Sequence, residues 1–322
     1  MTKNGILLTL SIYKNSAIEF INNILDHIPF QPSKMDLALV HKKTKYNKSI
    51  FIETFETAIN DNKRCNSKVF SDFKNSISFR YDNYSYIVTI ILRSSILTDD
   101  DSITELFDSI IRKQSIIVAY FRDKLDGSLR IDTNIDYYES VGIDTSKLRI
   151  LKDQIMNRDI LDIEQFSGHS HEYGGIEFTS TYLMWFGKDF FRFVPQETLT
   201  SFKDCVSNET FDNGTVRIQL YEDINDYNTE ETDRRQWAFR KHTNIDKVAE
   251  EWNKEYLAMA SKDKSGANMT IENGHFEHGG VKLVKLYLDK DNNTTTKKHA
   301  VKVKCVEYDS AGNVVFDDIL SV

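Results

Sequence analysis

The sequence predicts an α+β fold: a mixed, mainly antiparallel sheet with packed helices, followed by a C-terminal β-meander. Three observations carry this reading. Apolar stripes at helical spacing interrupt strand-like runs through the first 260 residues. Several of those runs are joined by hairpin-type turns, which connect antiparallel neighbours. After residue 268 only alternating runs remain, separated by Asn, Asp and Gly.

The elements follow in order. Residues 5–13 (GILLTLSIY) read as a first strand. Ser16-Ala-Ile-Glu19 has the form of a capping box, opening a helix apolar at Ile18, Ile21, Leu25 and Ile28 and ended by Pro29 and Pro32. A short strand is expected at Asp36–His41, then a helix near Ser49–Ala58 with Phe51, Phe55 and Ala58 on one face, where a strand is the alternative. Residues 76–93 read as a hairpin turning at Asp82-Asn83, and its second strand, apolar on both faces, belongs inside the sheet. Ser102-Ile-Thr-Glu105 caps a helix burying Ile103, Leu106, Phe107, Ile110 and Ile111. Residues 115–121 form a strand that turns at Asp126-Gly127 into SLRID. Residues 133–166 look like connecting structure, with short helical pieces around Leu148–Ile155.

The most aromatic stretch then begins with a long strand at Gly175–Phe186, followed by a helical turn and a helix opening at Pro195. Asn213-Gly214 leads into a strand at Thr215–Tyr221 with Val216, Ile218 and Leu220 inward. A helix at Asp246–Ala260 carries the stripe Ile245, Val248, Trp252, Tyr256 and Met259. The polar segment 261–268 reads as a linker. The expected domains are 1–261, with an internal boundary near 133–166, and 266–322 as a small β-meander domain or an extension of the sheet.

Of 322 residues, 40% are hydrophobic and 28% charged, a balance that supports a sizeable core. Cys65, Cys205 and Cys305 are far apart with no CxxC, so neither a disulfide framework nor a zinc ribbon is encoded. No apolar run approaches the ~20 residues of a membrane span, and the opening apolar run is short for a secretory leader. A soluble, cytoplasmic protein with no membrane association is expected. Phosphate-loop and dinucleotide fingerprints are missing. Net charge is −8, yet residues 1–80 hold 12 Lys/Arg against 7 Asp/Glu, so the acid is concentrated in the middle of the chain. That distribution disfavours nucleic acid and suits a basic protein partner.

Two places can carry function. Tyr221, Glu222, Asp223, Asp226, Tyr227, Glu230, Glu231 and Asp233 form an acidic run followed by Trp237. Carboxylates there would steer a basic partner, with Tyr and Trp as rigid contact area; the plainer alternative is a solvated loop leading into a helix. The second is His169, His171 and Glu172, in which two His at i, i+2 point the same way in an extended segment, as metal ligands do. His275 and His278 precede a second Gly-Gly, and four imidazoles could share a divalent metal if the loops met. No metalloprotease-type spacing supports this site, and no other cofactor is implied.

The segment Tyr182–Cys205, with Trp185-Phe186-Gly187 and Leu199-Thr-Ser-Phe202, resembles immunity proteins of bacterial polymorphic-toxin systems. In those families a strand leads into an aromatic-Phe-Gly turn, a short helix and a Leu-x-x-Phe piece. These residues are scaffold, so no functional residue carries over. The resemblance implies a non-catalytic protein that binds and neutralises a cognate toxin. The alternatives are a metal-dependent hydrolase on His169, His171 and Glu172, and a structural or assembly protein built on the β-meander.

Overall fold

β1 (Ile6–Tyr13) is buried along seven of its eight residues and anchors the sheet. The computed structural model describes residues 5–37, 42–72, 74–95, 100–153, 158–262 and 268–321. By its internal contacts the chain divides into two units, residues up to Asp132 with Ile163–Tyr256, and Thr133–Asp162 with Leu257–Val322.

In the first unit β1 is followed by α1 (Lys14–His27), β2 (Lys34–Leu37), β3 (Lys42–Lys45), α2 (Lys48–Asn60), β4 (Cys65–Phe70), β5 (Ser76–Asp82), β6 (Ile87–Ser94), α3 (Asp100–Lys113), β7 (Val118–Asp123) and α4 (Lys124–Leu129). The second unit then supplies α5 (Ile135–Ser140) and the paired strands β8 (Ile150–Lys152) and β9 (Asp159–Leu161). The chain returns to the first unit with β10 (His171–Tyr173), β11 (Ile176–Phe178), β12 (Leu183–Phe186), α6 (Gln196–Ser201), β13 (Ser207–Thr210), β14 (Val216–Gln219) and α7 (Glu230–Thr243). α8 (Ile245–Lys262) follows, its last residues counted with the second unit.

Ten strands, among the described residues, form one antiparallel sheet in the order β13-β14-β12-β7-β1-β6-β5-β4-β2-β3. Register partners share a face, so the two faces can be read across the strands. One face runs Trp185, Ala119, Leu10, Ile90 and Phe79. Phe51 and Phe55 of α2 pack against Phe79 at tilted and edge-on angles, and Asp108 of α3 accepts from the Trp185 indole N–H at 2.7 Å. Helices therefore cover this apolar face. The opposite face runs Arg122, Leu7, Arg93 in one row and Tyr120, Thr9, Ile91 in the next, and it is polar. Its centre is covered by the β10–β11 ribbon and α7. Ser11 Oγ and Thr89 Oγ1 both donate to Gly175 O, at 2.7 and 3.0 Å, and Phe186 stacks on Phe239 of α7.

In the second unit β15 (Met269–Asn273), β16 (Lys282–Leu288), β17 (Lys302–Tyr308) and β18 (Val314–Ser321) form a separate antiparallel sheet in that order. Its last two hairpins share one turn design. Asp289 Oδ1 accepts from the N–H groups of Asp291 and Asn293, and Asp309 Oδ1 from those of Ala311 and Asn313, all at 2.9 Å. Asn292 and Gly312 take the left-handed conformation in matching places.

The α+β class and the C-terminal meander are as expected, and several local expectations are not. α1 begins at Lys14, behind Tyr13, so Ser16 caps nothing and the buried stripe is Ala17, Phe20, Ile21, Ile24 and Leu25. Residues 38–41 of the expected second strand lie outside the described residues. The β5–β6 connection spans Asn83–Tyr86, with Tyr86 at φ +59°, in place of a two-residue turn. α3 is already helical at Asp100, ahead of Ser102. Asp126-Gly127 is not a turn: the Asp123 carboxylate caps Leu125 N–H and Asp126 N–H and starts α4. Residues 150–152 are strand and not helix.

The long strand expected at Gly175–Phe186 is two. Among the described residues β11 pairs only with β10, and only β12 joins the main sheet; Thr179, Ser180 and Thr181 between them are buried, and Thr179 and Ser180 donate their hydroxyls to Gly168 O and Ser167 O. β4 and α7 were not legible as elements. No helix among the described residues is long and apolar enough to cross a membrane.

Candidate functional site

The acidic run is a rigid surface loop that flows into α7. Ile224 and Tyr221 are buried beneath it, Tyr221 against Tyr182 at 5.3 Å. The Asp223 carboxylate caps the 3-10 turn Ile224–Asp226 through Asn225 N–H at 2.9 Å. Arg130 donates to Tyr227 O at 3.1 Å and Arg235 to Leu220 O at 2.9 Å, so both ends of the loop are tied to the scaffold. Thr229 then caps α7 through Thr232 N–H.

This fixing sorts the proposed contact residues. Tyr221 is 3% exposed and belongs to the core, so it leaves the contact set, and Tyr227 is half-buried. Glu231 is neutralised within the protein by Arg234 and Arg235, at 2.8 and 2.9 Å. The Arg234 hydrogen bond in particular pulls its pKa down to about 2. Glu222, Asp226, Glu230 and Asp233 are exposed, and no ion pair holds them among the described residues. Glu230, Asp233 and Trp237 fall at i, i+3 and i+7, on one stripe of α7. Trp237 is 38% exposed, a large ring left at the surface beside those carboxylates.

Behind this surface lie two buried charge clusters. In the first, Arg122 pairs with Glu177, which also accepts from Ser170 Oγ, and Tyr120 donates to Glu177 O at 2.9 Å. Arg130 pairs with buried Asp126 at 2.8 Å. Burial raises the Asp126 pKa, against the pull of Arg130 and Arg122. In the second cluster, Arg240 donates to His169 O, Ser167 O and Ser180 Oγ at 2.9, 3.3 and 3.2 Å, and pairs with Asp246. Gln236 donates to Ser180 O at 2.9 Å and accepts from Ser167 Oγ at 2.6 Å.

The second cluster decides what the His pair does. His169 is 3% exposed; its Nδ1 faces Phe166 O at 2.6 Å and its Nε2 meets Arg240 and Asp246. The network assigns the proton to Nδ1, with Nε2 accepting from the guanidinium, which leaves no lone pair free for a metal. His171 lies 5.2 Å from His169, ring to ring, and stacks on Tyr173. Burial, with the nearby His169 and Arg240, holds its pKa below the ordinary imidazole value. Glu172, its neighbour on β10, points to the other side and is paired with Arg80 at 2.6 Å.

His275 and His278 belong to the second unit, where His278 bonds Glu307 at 2.9 Å and stacks on Phe316. Among the described residues no cluster of three or more His, Cys, Asp or Glu forms a metal-type constellation. Gly174 and Gly175, both at positive φ, make the two-residue β10–β11 turn, and a Cβ on Gly175 would sit 2.9 Å from Ile87 Cγ2.

The segment Trp185–Phe202 is scaffold. Trp185, Phe186, Leu199 and Phe202 are buried, and Gly187 passes so close to Ile116 O that a Cβ would stand 1.8 Å from it. The sequence reading missed Glu177, Arg122 and Arg240. A charged residue inside the apolar run IEF was the one signal that marked a buried pair. Compared with protein-family models, curated proteins and solved structures, the chain finds no match in any of the three.

Proposed function

We propose that this is a non-catalytic binding protein that engages a basic protein partner through Glu222, Asp226, Glu230, Asp233 and Trp237. One observation carries the reading. Four carboxylates without counterions among the described residues and an exposed indole are held by a loop and helix anchored through Tyr221, Ile224, Arg130 and Arg235. Unpaired acids speed encounter with a basic surface, and a fixed aromatic ring supplies contact area at small entropic cost. The buried Arg, Glu, His and Asp groups behind the surface are bonded to one another and hold the loops in place, a positioning role and not a reactive one.

With the likeness of residues 182–205 to immunity proteins, the partner class is a toxin domain with a basic surface, neutralised by occlusion. The test is charge reversal at Glu222, Asp226, Glu230 and Asp233 together, read as protection when the protein is co-expressed with a toxic gene product encoded beside its own gene. The wild type should restore growth and the variant should not. Equal protection by both would remove this surface from the function.

A further inference from the structure

A second interaction surface lies in the C-terminal sheet. β18 is the outermost of four strands, pairs only with β17 among the described residues, and runs for eight residues, VVFDDILS. Val314, Val315, Ile319 and Leu320 on it are 41–54% exposed. An exposed edge of this length presents unpaired backbone groups and normally carries Lys, Pro or a cover. β18 carries instead two acids at its middle.

The direction of its free groups can be read from one bond. Ile319 N–H is held by the carboxylate of its own neighbour, Asp318, at 2.7 Å. It therefore does not cross to Lys304, its register partner on β17, and faces outward. Alternation along the strand places the outward groups of Asp317 on the same free edge. Asp317 pairs with Lys304 of β17 at 3.1 Å, whereas no ion pair holds Asp318 among the described residues. A register shift at Glu307/Tyr308 leaves Val315 without an opposite residue, so the regular edge is the segment 316–321.

We propose that this edge captures an extended segment of a partner protein as an added strand, and that the segment carries adjacent Lys or Arg residues between apolar ones. The charge pattern selects the occupant. In an antiparallel pair of two copies outward groups meet outward groups, so the registers that overlay the acids set Asp317 opposite Asp317 or Asp318 opposite Asp318, and like charges directly opposite destabilise a sheet. A basic pair placed there complements both acids, while the exposed Val, Ile and Leu side chains meet apolar flanks. The two acids thus disfavour self-pairing in the registers that overlay them and admit a basic strand. The surface lies in the second unit and does not depend on the acidic loop of the first.

The experiment uses the full-length chain and a capped, fluorescein-labelled ten-residue peptide alternating Val and Thr around a central Lys pair, with a Glu-pair peptide as control. Fluorescence anisotropy should show the Lys peptide binding about tenfold or more tightly than the Glu peptide. Asp317→Lys with Asp318→Lys should invert that order. Ile319→Pro, which removes an N–H outside the β17 ladder, should weaken the Lys peptide about tenfold. The four-site loop reversal should leave it unchanged. Failure of the Lys peptide to bind, equal binding of both peptides, or binding unaffected by the paired Lys substitution would overturn the proposal. Sedimentation showing wild-type self-association abolished by Ile319→Pro would assign the edge to a second copy and overturn it as well.

Discussion

Replacing Arg240 with Met tests whether the second buried cluster holds the face on which α7 is presented. The guanidinium is 2% exposed and serves four acceptors, Ser167 O, His169 O, His169 Nε2 and Ser180 Oγ, besides Asp246. Each buried acceptor left unmet costs about 1–3 kcal/mol, and methionine recovers part of this by packing, so Arg240→Met should cost about 3–5 kcal/mol. Asp246→Asn should cost about 2–3 kcal/mol, because the buried guanidinium loses its counterion and keeps its neutral acceptors. The Asp246 side chain is 44% exposed and can be solvated once Arg240 is gone. The double substitution should therefore cost little more than Arg240→Met alone, a coupling of about 2 kcal/mol.

Urea unfolding at pH 7 followed by tryptophan fluorescence is a suitable assay, because Trp185, Trp237 and Trp252 all lie in the first unit. Burial works against the Asp246 carboxylate, yet the charge-assisted bond from Arg240, with His169 beside it, outweighs that and depresses its pKa strongly. A depressed carboxylate pKa gives stability that is present above the unfolded value near 3.9 and is lost as pH falls below it. The wild type should show that loss and Arg240→Met should show less. A cost under about 1 kcal/mol for Arg240→Met, or strict additivity in the cycle, would refute the reasoning.

Other perturbations probe separate parts of the fold. Trp185→Ala should cost about 3–5 kcal/mol, and Trp185→Phe about 1–3 kcal/mol, since Asp108 loses the indole donor; a cost near zero for Trp185→Phe in urea unfolding would show that the hydrogen bond contributes nothing. Burial lifts the Asp123 pKa to about 6, against the α4 amides that favour its charge. A raised carboxylate pKa means stability falls as pH rises from about 4 to 6, so Asp123→Asn, which keeps the cap, should flatten that stretch of the curve and gain about 1–3 kcal/mol at pH 7. An unchanged pH profile for Asp123→Asn would contradict the burial argument.

Local apolar period was enough to find α2, α3 and α8, because each carries one apolar stripe, and the strands of the C-terminal meander stood out as apolar runs between Asn, Asp and Gly turns. It failed where side-chain chemistry overrides period. Thr179 and Ser180 read as strand but spend their hydroxyls on Gly168 O and Ser167 O, and Ser180 O accepts from Gln236, which splits one expected strand into β11 and β12. α7 has a highly charged sequence whose buried face includes Gln236 and Arg240, so no apolar stripe announced it.

The candidate site was legible as an acidic run, but not its sorting. Which acids are neutralised depends on Arg234 and Asp204, thirty residues apart. The His pair looked like metal ligands because spacing cannot reveal Arg240, which reaches His169 from another element.

Association kinetics test the binding reading most directly. The on-rate of the wild type for the basic protein encoded beside it should fall at least ~10-fold on reversing Glu222, Asp226, Glu230 and Asp233, and its dependence on ionic strength should weaken sharply. An on-rate and salt dependence unchanged by the four reversals would contradict a partner site on this surface.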